Sequence, residues 1–257
     1  PGSMHKNSIL RTARVVLAPA LVAGGFLASP GYASVGSPAV SAVTEEAAAT
    51  PAASAAPAAI AESAFDAAAW DAVAIGAIQR DVFALALASA ASAVERGDAD
   101  PGTLTVIDFS RPSTSKRLWV YDLRSRALLF EEHVAHGRNS GHDVPTMFSN
   151  VPESNKSSLG LFRAAEGYIG KHGYSLRLDG LEPGVNDRAR ERAIVIHGAE
   201  YVNEETARAQ GRLGRSLGCP AVRPAIARRL IDAVKEGGLI FAYYPDPAWL
   251  NQSKYLN

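Results

Sequence analysis

Arg117 to Ala135 reads RLWVYDLRSRALLFEEHVA. Two runs rich in aromatic, β-branched and aliphatic residues, 117–123 and 127–135, flank the polar triplet Arg124-Ser125-Arg126. That order reads as a β-hairpin. Strand-like runs continue on both sides of it. LTVIDFS (104–110) precedes the hairpin; SLGLFRAAE (158–166) and YSLRLDG (174–180) follow it. AIVIHGA (193–199) starts as a buried strand, four apolar residues long, and ends at a histidine. PAIARRLIDAVKEGG (224–238) changes period. Ile226, Leu230, Ile231 and Val234 form a helical stripe between Pro224 at the start and Gly237-Gly238 at the end. GLIFAYY (238–244) is a closing strand. Many short strands with one or two helices predict a mainly β domain over 101–247, with no internal repeat.

The segment ahead of that domain has a different character. Pro1-Gly2-Ser3 before Met4 reads as an expression scar. Lys6, Arg11 and Arg14 then precede VVLAPALVAGGFLA (15–28), and small residues follow with a cleavage position after Ala33. At about 1.5 Å per residue the apolar run falls short of a bilayer core of roughly 30 Å. The first 33 residues therefore read as a secretory signal. Residues 41–70 hold 15 alanines, and 34–60 reads as an Ala/Pro-rich, disordered spacer. From about residue 61 to 100, Phe65, Trp70, Val73, Ile75, Ile78, Val82, Phe83 and Leu85 recur near helical spacing. They predict one long helix or two short ones, ended by DADPG (98–102). The last ten residues, 248–257, read as a C-terminal tail.

Composition narrows the chemistry. The 257 residues carry 26 basic and 26 acidic side chains, a formal net charge of zero. That excludes a strongly basic nucleic-acid binder. A mean hydropathy of -0.02 is too low for a multi-span membrane protein. One cysteine excludes an intramolecular disulfide, multi-cysteine zinc sites, iron–sulfur clusters and CxxC redox chemistry. In an exported chain an unpaired thiol is exposed to oxidation, so Cys219 is a reactive-thiol candidate, with a buried inert cysteine as the competing reading.

Cys219 sits in GRSLGCPA (214–221), between a glycine and a proline and shortly before a helix. A tight turn there aims consecutive backbone N–H groups at one spot, which is what an oxyanion needs. His197-Gly198 ends a buried strand. An imidazole beside the thiol supplies the base that a weak nucleophile requires. His133, His136 and His142 invite a metal reading, but no acidic partner stands at a firm spacing; neither metal nor cofactor is expected. His136 and Arg138 in VAHGRNSG (134–141), His172 in KHGYS (171–175) and Tyr174 are candidates to face a substrate. Loop shaping is the alternative for the histidines, and core packing for the tyrosine. Arg188, Arg190 and Arg192 alternate ahead of the histidine strand and read as a solvated edge rather than a carboxylate site.

His197-Gly198 followed by Ser216-x-Gly218-Cys219 resembles the signature of YkuD-type L,D-transpeptidases. The stretches VAHGRNSG, KSSLG, KHGYSLRLDGLE, NDRARERAIVIHGA and GRLGRSLGCPA are similar to murein L,D-transpeptidase catalytic domains over about 100–245. The resemblance implies a β-sandwich-like fold and a cysteine acyltransferase that cross-links peptidoglycan stem peptides in the periplasm or wall. It implies Cys219 as nucleophile, His197 as base, and Gly198 as the residue whose carbonyl orients the imidazole. The N–H groups of Gly218 and Cys219 would form the oxyanion hole. Ser216 and Arg215 would join His136, Arg138, His172 and Tyr174 around the substrate, and carbapenems would act as inhibitors. An L,D-carboxypeptidase, or an inactive wall-binding domain, are the alternatives. Two positions depart from the common pattern. Leu217 stands where many members carry histidine, and Ala221 where many carry arginine; Arg223 or Arg215 would have to supply that charge.

Overall fold

The computed structural model describes residues 62–257; the expected signal and spacer, 1–60, lie outside the described residues. Eight strands form one sheet: β1 (Thr103–Asp108), β2 (Leu118–Asp122), β3 (Ala127–Glu132), β4 (Gly160–Gly170), β5 (Gly173–Gly180), β6 (Val195–Gly198), β7 (Ala221–Val222) and β8 (Leu239–Tyr243). Their order is β3-β2-β1-β8-β4-β5-β6-β7. The β1–β8 and β6–β7 pairs are parallel, and the other neighbours are antiparallel. Beyond β3, Ala135 pairs with Ala221 of β7, so the sheet nearly closes on itself. Closure removes open edges and encloses an apolar interior. The mainly β expectation thus holds, as one curled sheet.

Four helices complete the described chain: α1 (Arg80–Glu95), α2 (Glu204–Gln210), α3 (Pro224–Val234) and α4 (Pro247–Gln252). None of them is long and apolar enough to cross a membrane. α3 begins at Pro224, whose missing N–H needs no partner at a first helical position, and it buries Ile226, Leu230, Ile231 and Val234. It packs on β5 and β6, behind the histidine strand.

The helical pattern read from Phe65 onward is only half realised. Two short 3-10 turns, 62–64 and 67–70, precede a non-helical link, and the α-helix starts at Arg80. Long-range bonds hold that link open. The Tyr121 hydroxyl donates to the Ile75 carbonyl at 2.7 Å, and the Ala77 N–H donates to Glu131 at 2.9 Å. Trp70 packs edge-on against Phe83 and Tyr121, with centroids 5.1 and 5.6 Å apart. The tail is also built in: Trp249 and Tyr255 are buried, and the Trp249 indole donates to Glu182 at 3.2 Å.

Glu182 and Asn186 form a buried polar knot on the approach to β6. The Glu182 carboxylate accepts the Leu161 N–H at 2.7 Å. Asn186 accepts the Glu182 N–H at 2.9 Å and donates to the Leu159 and Leu161 carbonyls at 2.9 and 3.0 Å. Asn186→Ala leaves the Leu159 carbonyl and the Glu182 N–H unpaired and buried. At about 1–3 kcal/mol for each such group, a urea unfolding series should show a loss of about 3 kcal/mol with an unchanged m-value. A loss below about 0.5 kcal/mol would mean that water replaces the amide.

Candidate active site

His197 lies on β6, between Ser175 of β5 and Ala221 of β7. Its Nδ1 is 2.9 Å from the carbonyl of Gly198. A carbonyl only accepts, so Nδ1 carries the proton and Nε2 keeps its lone pair. Gly198 permits α3 to come close. A Cβ there would stand 3.1 Å from that of Ala227 and 3.3 Å from the Pro224 Cα. Burial pushes the His197 imidazole below its ordinary value, and the nearby charges of His172 and Lys171 push the same way; the Gly198 bond opposes them.

The parallel pairing of His197 with Ala221 places Cys219 two residues earlier, beside Val195. Cys219 is half-buried, and its thiol donates to the Ala193 carbonyl at 3.6 Å. Ala193 holds a left-handed backbone, φ 52°, a conformation rare for a residue with a Cβ and typical of strained functional loops. No hydrogen bond joins the Cys219 sulfur to His197. Burial pushes the thiol up, against the N–H groups of Val195 and of Cys219 itself and the charges of Arg192 and Lys171. At rest the thiol and the imidazole are therefore both neutral.

Ser216 staples the turn that carries the thiol. Its hydroxyl donates to the Cys219 carbonyl at 2.6 Å and accepts the Gly218 N–H at 3.0 Å. Gly218 has φ 129°, and its carbonyl accepts from Ser157 Oγ at 3.1 Å. So of the two N–H groups expected to face an oxyanion, that of Gly218 is engaged inside the turn. That of Cys219 donates to no other residue among those described.

The other candidate residues separate into two groups. On the sulfur-bearing loops, Arg215 donates to the Arg138 and Gly141 carbonyls at 3.2 and 2.8 Å and so closes the 138–141 loop. Arg138 is exposed, and its N–H donates to Ser216 at 2.8 Å. His136 is fully buried, with Arg117 2.7 Å from its Nδ1. Burial, then the Arg117 charge, drives His136 down to about 3, and burial drives Arg117 itself down to about 9. His136 is thus packed inside its loop, without exposed surface in this structure. On the opposite side, His172 is exposed and stacks on His197, with centroids 4.4 Å apart and planes at 22°. Tyr174 donates to Asp232 at 2.8 Å beneath the Arg228 guanidinium. With His172 and Gly198, Tyr174 lines a groove of about 350 Å³ that also takes in Glu200 and Arg228.

Arg192, read from the sequence as part of a solvated edge, behaves differently from its neighbours. Arg188 pairs with Glu191 at 2.9 Å, and Arg190 pairs with Asp179 and Glu166. Arg192 instead turns inward. It donates to the Ser149 carbonyl, Ser158 Oγ and the Lys156 carbonyl, and its charge acts on Cys219. Its place directly ahead of the buried histidine strand was the available signal, since residues there leave the surface. Arg223 is committed to Glu132 at 2.6 Å, whereas the charge of Arg192 acts on the Cys219 thiol. Leu217 is 56% exposed beside the Cys219 turn. Among the described residues, no three His, Cys, Asp or Glu side chains converge as a metal site.

No curated protein matches the chain significantly. Among solved structures, an L,D-transpeptidase from Mycobacterium smegmatis is 16% identical, with a TM-score of 0.34 over 56% of this chain and 59% of that one. L,D-transpeptidase 1 of Mycobacterium tuberculosis is 15% identical, with a TM-score of 0.32 over 56% of this chain and 62% of that one. The helical cell shape determining protein Pgp2 from Campylobacter jejuni is 14% identical, with a TM-score of 0.37 over 62% of this chain and 56% of that one. The chain thus spans less than two thirds of the length of these structures. A family model described as L,D-transpeptidase catalytic domain matches residues 75–243, from the link ahead of α1 to the end of β8. By that match, which covers more than half of its length, the chain belongs to the L,D-transpeptidase catalytic domain family.

Proposed function

We propose that this protein is an exported cysteine acyltransferase that cross-links peptidoglycan stem peptides through a thioester on Cys219. The observation that carries the reading is the placement of the chain's lone thiol. It sits on a turn stapled by Ser216, beside a strand whose histidine is oriented by the Gly198 carbonyl. That is a nucleophile, a base and an orienter in sequence, with a carbonyl in place of the more usual carboxylate.

The resting thiol bonds to Ala193, so the first step is a rotation of the Cys219 side chain that turns the sulfur towards His197. Apo geometry in such sites is often loose and tightens only with substrate. The sulfur attacks the carbonyl between the third, L-centred residue of a stem tetrapeptide and its terminal D-alanine. His197 Nε2 takes the thiol proton. The Cys219 N–H, and the Gly218 N–H once released by Ser216, donate to the oxyanion. Nε2 returns the proton to the departing amine, D-alanine leaves, and the acyl group remains on sulfur. The amine of a second stem then attacks the thioester, and the thiol is regenerated. Both partners are neutral at rest, so the mechanism is general base catalysis rather than attack by a preformed thiolate. Activity is expected to persist below the ordinary histidine range of about 6.5 before His197 protonates.

The test is incubation with purified muropeptides followed by mass spectrometry. Cross-linked dimer with release of D-alanine is expected. Loss of D-alanine without dimer would replace amine by water as acceptor and make the protein an L,D-carboxypeptidase. Unchanged muropeptides would overturn the enzymatic reading in favour of a wall-binding domain. Export to the periplasm or wall follows from the N-terminal sequence reading, and fractionation of cells expressing the full chain tests it.

A further inference from the structure

β4 and β5 form a hairpin whose last pair is Gly170 with Gly173, leaving Lys171 and His172 at the tip. β6 pairs with β5 only over Ser175–Arg177, and His197 pairs with Ser175. The tip therefore reaches past the catalytic end of β6. His172 folds back onto that end. Its ring lies nearly parallel to that of His197, 4.4 Å between centroids.

Two physical consequences follow. The first is steric. The Gly198 carbonyl holds one edge of the His197 imidazole at Nδ1. A single hydrogen bond leaves the ring free to swing about the bond axis, and a flat surface against one face removes that freedom. The second is electrostatic. Burial is the main force that pushes the His197 imidazole down, and the charges of His172 and Lys171 add to it. Cys219 is on the turn before β7, Glu200 follows β6, and Arg228 is on α3. Glu200 and Arg228 line the adjoining groove. Asp232 on α3 is spent on Tyr174 and Lys235.

We propose that the tip of the β4–β5 hairpin positions the catalytic base: His172 stacks on His197 and fixes its ring plane, and the tip adds positive charge beside it. His172 is then a positioning residue that acts through His197 and not a substrate contact. The inference rests on the proposed role of His197.

The test measures acylation of the full chain by a carbapenem, read as intact mass, across a range of pH. In His172→Ala the plateau rate should fall at least about tenfold, the scale on which misplacement of a catalytic group acts. The acidic limb of the profile should also move to higher pH, because removing positive charge raises the His197 pKa. His172→Phe should recover most of the plateau, since it restores the flat face. It should keep the displaced limb, since it does not restore the charge. Lys171→Ala should move the limb in the same direction. A His172→Ala profile identical to the wild type overturns the proposal. A His172→Phe plateau as low as that of His172→Ala also overturns it, because the ring nitrogens and not the stack would then matter. Thermal unfolding of each variant verifies that it is folded. NMR titration of the His197 ring, assigned with His197→Gln, gives a readout free of activity: in His172→Phe its midpoint must rise. If the wild type forms no adduct at any pH, the acyl-transfer reading fails, and the titration alone decides on the hairpin. An unmoved midpoint overturns it.

Discussion

Cys219→Ser is expected to form no carbapenem adduct, and His197→Ala to form it about 10²-fold more slowly, the usual range for loss of a general base. The size of the second effect follows from the resting state. Burial holds the Cys219 thiol above its ordinary value, so little thiolate exists without a base. A cysteine already ionised would react well without His197; this one needs its proton taken as the bond forms. Serine is worse by a wider margin, because its hydroxyl is far less acidic than a thiol of reference pKa about 8.5. The chain has one cysteine, so intact mass alone assigns the adduct. Neither substitution removes much apolar volume, and both variants should stay folded. Rapid acylation of His197→Ala would show that another group is the base. His172 would be the next choice, since His136 is buried against Arg117 and held neutral.

Gly218→Ala is expected to lose about 10² in acylation rate, the scale on which misplacing a reacting group by about 1 Å acts. The backbone at Gly218 has φ 129°, a region an L side chain scarcely occupies. A Cβ there would also stand 2.9 Å from the Lys156 carbonyl and 3.0 Å from Ile194 Cδ1. The carbonyl belongs to a loop held by Arg192 and cannot step aside. The turn must therefore shift, and it carries both the thiol and the N–H groups beside it. Strain of this kind costs about 1–3 kcal/mol, so thermal unfolding should show a modest loss beside the large kinetic one. Native acylation kinetics with reduced stability would mean that the turn geometry does not govern the chemistry.

Much of this site was legible in the chain. The apolar runs that became β1, β2, β3, β5, β6 and β8 have the length and residue types of strands, and α3 announced itself by period and by its proline start. Such features are local, and local patterns survive folding when burial agrees with them. The turn at the lone cysteine, flanked by glycine and proline and preceded by Ser216, was legible for the same reason. The residues 73–79 show the limit of local reading. Their apolar spacing suits a helix, yet bonds to Tyr121 and Glu131, tens of residues away, hold them in a link. α4 was hidden in the same way, because Trp249 is buried by tertiary partners, the rings of Phe241 and Tyr243 and the Glu182 carboxylate.

The residue types and spacing alone determined that the chain is mainly β, that it has one cysteine, and that His197 lies near the end of a buried strand. Those are properties of short segments, written in period, composition and turn chemistry. Which basic groups stand around the thiol was decided only by the tertiary structure. Arg188, Arg190 and Arg192 look alike in sequence, but the turns of 183–193 send two to surface acids and one to the loop beside Cys219. His136 and His172 both sit in glycine-bearing loops; curling of the sheet buried the first against Arg117 and laid the second on His197. Burial and long-range pairing set charge and orientation, and neither has a period that a linear chain displays.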